Sequence, residues 1–170
     1  MHVAPLQLAD APYYRALMLE AYELATDAFT STAAERVTEP LSFWEKRIAD
    51  PTGLSVAFGA FEGGALIGSV ALEFSAKPKT KHKAHVIGMY VAPPARGTGA
   101  GRALMQAAVA RARAQAGVRV LNLTVTEGNG PAVHLYRSAG FQAFGVEPMA
   151  ILTPAGYKAK VHMWLELGSG

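Results

Sequence analysis

The chain of 170 residues is 51% hydrophobic and 17% charged with a formal net charge of +3, enough apolar material for one substantial core and too much for disorder. It contains no cysteine, which excludes disulfides, thiolate-ligated zinc or iron–sulfur sites and any cysteine nucleophile. No apolar run approaches the roughly 20 residues of a bilayer span, and the opening MHVAPLQLADAPYY lacks the basic start and apolar core of a signal peptide, so a soluble cytoplasmic protein without membrane contact is expected.

A short first strand is predicted near Val3 to Leu8. Asp10 and Pro12 then precede Tyr14, Leu17, Met18, Ala21, Leu24 and Ala25, whose i, i+3, i+4, i+7 spacing predicts a helix capped by Asp10. Phe29 to Glu39 reads as a loop. A second helix is predicted from Leu41 to Ala49, after Pro40 and before Asp50-Pro51, with Leu41, Trp44 and Ile48 on its buried face. Leu54 to Phe61 and Ala65 to Phe74, joined by Glu62-Gly63-Gly64, predict a β-hairpin. A third strand, about His82 to Val91, follows a turn in which Lys77, Lys79, Lys81 and Lys83 alternate around Pro78. Alternation puts His85, Ile87, Met89 and Val91 on one face and Val86, Gly88 and Tyr90 on the other; both are largely apolar, so the strand should be central.

Pro93-Pro94 ends that strand, and a glycine-rich loop leads into a helix over Ala100 to Ala116. Leu104, Met105, Ala108, Val109 and Ala112 form its apolar stripe, opposite Arg102, Gln106 and Arg113, and Gly117 stops it. Val118 to Val125 predicts a strand and Asn129 to Ala139 a helix closed by Gly140. Phe141 to Leu152 and Tyr157 to Leu167 predict two last strands around a Pro154/Gly156 turn. The pattern is an α/β fold, a central twisted mixed sheet of six to seven strands flanked by about four helices. With no repeat and no linker, residues 1–167 read as a single domain and Gly168-Ser169-Gly170 as a flexible tail. The late strand Val161 to Leu167 is expected at an exposed edge, where a homodimer could pair across a two-fold axis.

Charge is unevenly distributed. Residues 1–50 hold 4 Lys/Arg against 8 Asp/Glu, and residues 51–170 hold 12 against 5. The basic part suits an anionic partner. The lysines of the Pro78 turn read as a solvated hairpin tip, and no basic-aromatic platform is present, so nucleic acid is not expected as a partner; a small polyphosphate fits better.

The segment Val91-Ala92-Pro93-Pro94-Ala95-Arg96-Gly97-Thr98-Gly99-Ala100-Gly101-Arg102 lies between a central strand and a helix. Glycines there let the backbone turn without Cβ clashes and expose successive N–H groups at the positive end of a helix dipole, where a pyrophosphate can accept them. Arg96 and Arg102 add positive charge. No Gly-Lys-Ser/Thr triplet follows, which excludes a Walker loop, and Arg119, Val120 and Leu121 stand where a dinucleotide fingerprint needs an acid.

Arg96, Gly99 and Gly101 instead match the Arg/Gln-x-x-Gly-x-Gly/Ala pattern of motif A in the GNAT superfamily of acyl-CoA-dependent N-acetyltransferases. Downstream, Asn129, Ala132, Leu135, Tyr136, Gly140 and Phe141 match the Asn-x-x-Ala-x-x-Leu-Tyr-x-x-x-Gly-Phe pattern of motif B. The chain resembles this family over roughly Leu54 to Leu167, and the resemblance implies a GNAT-like sheet and acetyl-CoA as acetyl donor, without a metal. It further implies that the coenzyme A pyrophosphate rests on the N–H groups of Gly97, Thr98, Gly99, Ala100, Gly101 and Arg102, beside Arg96. Pantetheine would run between the strand ending at Val91 and its parallel neighbour, with the backbone of Met89, Tyr90 and Val91 polarising the thioester carbonyl. Asn129, Ala132 and Tyr136 would complete the cofactor wall. With no cysteine, an enzyme-bound thioester is excluded, which favours direct attack by the amine in a ternary complex.

Tyr136 matches the family's general acid, a phenol suited to protonate a departing thiolate. Some members carry a carboxylate base eleven positions ahead of the residue matching Arg96; here that position is His85, a departure from the pattern and a chemically competent base. Glu73 and Glu147 are rival bases. His82 and His85, three apart on a strand, face opposite ways and do not suggest a metal site. Glu20, Glu23, Asp27, Glu35 and Glu39 gather in the N-terminal third, where family members shape the acceptor wall, and would favour a cationic amine. A catalytically silent acyl-CoA-binding regulatory module is the alternative.

Overall fold

The computed structural model describes residues 1–168; the Ser169-Gly170 end of the expected tail lies outside the described residues. These contain seven strands, β1 (His2–Pro5), β2 (Ser55–Glu62), β3 (Ala65–Phe74), β4 (Lys83–Val91), β5 (Val120–Thr126), β6 (Gln142–Thr153) and β7 (Gly156–Glu166). Five α-helices join them: α1 (Ala11–Leu24), α2 (Ala33–Arg36), α3 (Leu41–Ile48), α4 (Ala100–Ala114) and α5 (Gly130–Ser138). The strands form one mixed sheet in the order β1-β2-β3-β4-β5-β7-β6. β4 lies at its centre, as its two apolar faces require.

Each face of the sheet buries a separate cluster. On one, the apolar stripe of α4 packs Leu104, Met105, Ala108 and Ala112 against Val70, Leu72, Ala84, Val86, Leu121, Leu123 and Met163. On the other, α1 and α3 pack Tyr14, Met18, Trp44 and Ile48 against Ala57, Ala71 and Tyr90. Leu72 and Leu104 are fully buried, and burial of such a side chain contributes about 1.5–3 kcal/mol.

Strict alternation fails inside β4. Ser69 pairs with Tyr90 but Ala71 with Ile87, so one extra β4 residue bulges out, and Gly88 takes φ +59° there. Met89 and Val91 therefore join Ala84 and Val86 on the α4 face, while Tyr90 joins Ile87 on the α1 face. The bulge falls where a Cβ on Gly88 would lie 3.5 Å from the Tyr14 hydroxyl oxygen, in ordinary contact, so the left-handed backbone rather than crowding demands glycine.

The other differences are local. The expected Phe29–Glu39 loop contains α2, because Thr32 and Glu35 form a reciprocal capping box. Asp10 occupies the position before α1 but spends its carboxylate on the Gln7 amide, at 2.8 Å, rather than on a helix N–H. Leu41 is exposed; α3 buries only Trp44 and Ile48. The late strand is no edge. β7 is hydrogen-bonded to β5 on one side and β6 on the other, so the edge at this end of the sheet is β6, opposite the β1 edge, and its pairing is broken by register shifts at Ala143/Gly145 and Glu147/Ile151. Such bulges interrupt the continuous row of main-chain groups that edge pairing needs.

Candidate active site

β4 and β5 are parallel neighbours, and they are paired only at Lys83–His85 against Val120–Asn122. Beyond that last rung β4 keeps its bonds to β3 alone, so from Val86 to Val91 its β5 side lies open. The opening leads to the glycine loop. Gly97 and Gly99 take φ of +77° and +89°, and Gly99 stands before α4 in the left-handed region with no side chain capping the helix. Among the described residues, the amides of Gly97, Thr98, Gly99, Ala100, Gly101 and Arg102 donate no hydrogen bond. Six consecutive free donors at a helix N-terminus suit an anion by geometry and dipole together.

The side chains around the loop hold its shape. Thr98 Oγ1 donates to the Ala95 carbonyl at 2.6 Å. Arg96 donates through Nε to the Val91 carbonyl at 3.0 Å, and its guanidinium carbon lies 5.8 Å from the Tyr90 ring centroid. Arg96 thus ties the loop to the end of β4 as well as adding charge. Gly101 keeps the helix close to its neighbours: a Cβ there would meet Leu135 Cδ2 at 3.4 Å and Met89 Cε at 3.5 Å.

On α5, Asn129 Oδ1 accepts from the Ala132 amide at 3.3 Å, an ordinary N-cap that anchors the start of the helix. Ala132 is half-buried one turn before Tyr136, which is 8% exposed, and whose ring meets Phe141 edge-on at 6.2 Å between centroids. The Tyr136 hydroxyl makes no hydrogen bond among the described residues, and burial pushes its pKa up to about 12. Burial therefore holds the phenol neutral. His134, on the same helix, is exposed.

The α1 face carries the candidate bases. His85 pairs across the sheet with Glu73 on β3 and with Asn122 on β5, and its Nδ1 is hydrogen-bonded to Asn122 Oδ1. Glu73 is exposed beside it. Glu147 is elsewhere, on the free edge strand, 2.9 Å from His162 Nε2. Glu73 and His85 are thus brought together and Glu147 is not. Asn122 went unmarked in the sequence, although a lone amide in the otherwise apolar run Val-Leu-Asn-Leu was a signal.

The N-terminal acids are largely occupied. Glu20 accepts from the Tyr90 hydroxyl, Asp27 pairs with Lys158 Nζ at 2.8 Å, Glu35 caps α2 and Glu39 meets Arg36. Lys158 holds the Asp27 carboxyl below the usual carboxylate range. The segment after α1 is further fastened by Thr126 Oγ1, which donates to the Asp27 carbonyl at 2.6 Å, and it borders a cleft of about 300 Å3 lined by Asp27, Glu127, Asn129 and Lys158. Among the described residues no group of three or more His, Asp or Glu side chains is arranged to hold a metal, and no helix is long and apolar enough to cross a membrane.

A mixed sheet that opens between two parallel strands onto unpaired amides at a helix N-terminus is an architecture suited to an acyltransferase. The chain belongs to the acetyltransferase (GNAT) family, whose model matches residues 18–141 and so takes in the second half of α1, which the motifs alone leave outside. Over 92 residues, 54% of this chain, it is 40% identical to streptothricin acetyltransferase of Streptomyces lavendulae, the match spanning only 46% of that protein's length. The fold superposes on the acetyltransferase of the GNAT family from Streptococcus pneumoniae with a TM-score of 0.85 at 22% identity, over 98% of this chain and 99% of that one. It also matches yncA of Salmonella typhimurium, solved with its cofactor acetyl-CoA, with a TM-score of 0.83 at 20% identity, over 100% of this chain and 95% of that one. At these identities the two solved structures speak for the fold.

Proposed function

We propose that the protein transfers the acetyl group of acetyl-CoA to a primary amine of a small molecule, peptide or protein, by direct attack in a ternary complex. The observation that carries this reading is the run of free amides from Gly97 to Arg102 at the mouth of the β4–β5 opening. They suit a pyrophosphate, and a narrow slot with unpaired main chain on one wall suits the pantetheine behind it. In this reading Asn129, Ala132 and Tyr136 of the α5 segment, which follows β5 in the chain, complete the cofactor wall. Met89, Tyr90 and Val91 lie along its β4 wall; the Val91 carbonyl is already taken by Arg96, and because the Ala92 amide bonds Ile67 next to β3, alternation leaves the Met89 and Val91 amides for the thioester carbonyl.

Acetyl-CoA supplies an activated acyl group on a thiolate leaving group. The chain's residues move the protons. His85 Nε2 accepts one from the acceptor ammonium, freeing the lone pair that forms the C–N bond. As the C–S bond breaks, Tyr136 gives its hydroxyl proton to the departing sulfur, and the phenolate regains one from the nitrogen as the amide forms. The balance is amide, coenzyme A thiol and one proton left on His85. Glu73, beside His85, is the alternative acceptor for that proton. The likeness to streptothricin acetyltransferase, over 92 residues, supports acetyl transfer as the reaction.

The test is the thermal midpoint of the protein with acetyl-CoA, with free coenzyme A and with NAD. Both coenzyme A species should raise it and NAD should not, because a ligand that binds only the folded state stabilises it by mass action. No rise at saturating acetyl-CoA would sink the reading. A rise without acetyl transfer to any amine would favour a silent binding module.

A further inference from the structure

Resting on the proposed acetyl transfer, we infer that Asn122 is a positioning residue that fixes the tautomer of His85 and so makes Nε2 the atom that receives the acceptor's proton. The register of the sheet brings them together. Ser55, Glu73, His85, Asn122, Trp164 and Gln142 are cross-strand partners in succession, a single row running over β2, β3, β4, β5, β7 and β6. Within it, His85 and Asn122 form the last rung before β4 and β5 part. The pair therefore sits at the inner end of the slot, where strand pairing still holds the two backbones in fixed relation.

The chemistry of the contact decides the tautomer. An amide oxygen only accepts, so the Nδ1 that meets Asn122 Oδ1 must carry the hydrogen. A neutral imidazole with hydrogen on Nδ1 has its lone pair on Nε2. Nε2 has no hydrogen-bond partner among the described residues, and the ring is only half-buried, on the sheet face away from α4. The charged neighbour in the row is Glu73, on the opposite side of His85 from Asn122. When an ammonium N–H bond breaks and its proton bonds to Nε2, the positive charge moves onto the ring, and Asn122 Oδ1 stays hydrogen-bonded to the resulting imidazolium. Neither the ring nor the amide has to reorient. The role is that of an orienting partner behind a general base, here supplied by a neutral amide.

The experiment labels the histidines of the full-length protein with 15N and records long-range 1H–15N spectra at a pH where the ring is neutral, with His85→Gln identifying the His85 signals among the five histidines. The expected pattern is a protonated Nδ1 and an unprotonated Nε2. Asn122→Leu should convert it toward the Nε2–H form and lower kcat roughly tenfold or more, within the ~10²–10⁴ that a general base supplies, with the KM for acetyl-CoA unchanged. Asn122→Asp, which keeps an acceptor at the same place, should restore the Nδ1–H pattern and most of the turnover. Asn122→Ala serves in place of the leucine variant where thermal unfolding shows that variant to be misfolded. An Nε2–H ring in the wild type overturns the inference, as does a spectrum unmoved by removal of the amide. So does full turnover in His85→Gln, which leaves acetyl transfer itself standing. Absence of acetyl transfer in the wild type is a failure of the underlying reading, and is distinguished because the spectrum still reports the tautomer.

Discussion

Tyr90 donates its hydroxyl hydrogen to Glu20 Oε1 at 3.0 Å, a contact between residues 70 apart in sequence that ties α1 to the far end of β4. The bulge at Gly88 is what makes it reachable, because without the extra residue Tyr90 would face α4. Tyr90 is also packed edge-on against Phe29, 6.4 Å away between centroids, so one side chain joins the loop after α1, helix α1 and the strand that borders the slot.

Replacing Tyr90 by Phe removes the tie and keeps the packing. Stability should fall by about 1–2 kcal/mol, since the lost bond is to a carboxylate in a half-buried setting. The KM for the amine should rise severalfold while acetyl-CoA affinity holds, because α1 and not the glycine loop is released. Urea unfolding and two-substrate kinetics measure both. An unchanged amine KM would show that α1 does not border the acceptor.

Tyr136→Phe deletes a hydroxyl that makes no hydrogen bond within the described residues, so the variant should fold with nearly wild-type stability. The value of kcat should fall by about 10²–10⁴-fold if the phenol is the acid that protonates the leaving sulfur. Acetyl-CoA binding, read by the shift in thermal midpoint, should persist. Retention of full turnover would remove Tyr136 from the chemistry and leave it as core.

Alkaline stability follows from three tyrosines. Desolvation pushes Tyr14, Tyr90 and Tyr136 up to about 12 from an ordinary value of 10.0, with Glu20 adding to the effect at Tyr90. The folded protein thus keeps protons that the unfolded chain has released between those values, so stability conferred by the neutral phenols is intact below pH 10 and is lost as pH climbs toward 12. The Tyr14 hydroxyl is fully buried without a partner, so Tyr14→Phe can remove the titration at little cost in hydrogen bonding. Chemical unfolding at pH 9, 10 and 11 should give a shallower decline for a Tyr14→Phe, Tyr136→Phe double variant than for the wild type. Parallel declines would place the alkaline sensitivity in other groups.

Much of this site is legible from residues 91–102 and 129–141 because local rules govern it. A glycine with φ near +90° before a helix, an asparagine cap accepting from the amide three residues on, and an apolar stripe at helical spacing all depend on neighbours in sequence. That β4 and β5 run parallel is legible too, because a crossover helix joins them; that they part beyond His85 and Asn122 is seen only in the sheet. The legibility stops where one residue changes a face. An added residue at Gly88 inverts every side chain beyond it; the lone glycine in Ile87-Gly88-Met89 permits a bulge there, but only the pairing with β3 fixes one.

The sequence by itself determined the α/β class, the central place of β4, the glycine loop before α4 and the phenol on α5, since periodicity and backbone chemistry are properties of short segments. Only the tertiary structure decided which residues share a row. Glu73, His85 and Asn122 come from three strands, and their juxtaposition depends on register, fixed by how all the strands bury their apolar faces at once. The same global fit placed β7 between β5 and β6 rather than at the edge, and turned Glu20 from a free charge into the acceptor of a tyrosine's hydrogen bond.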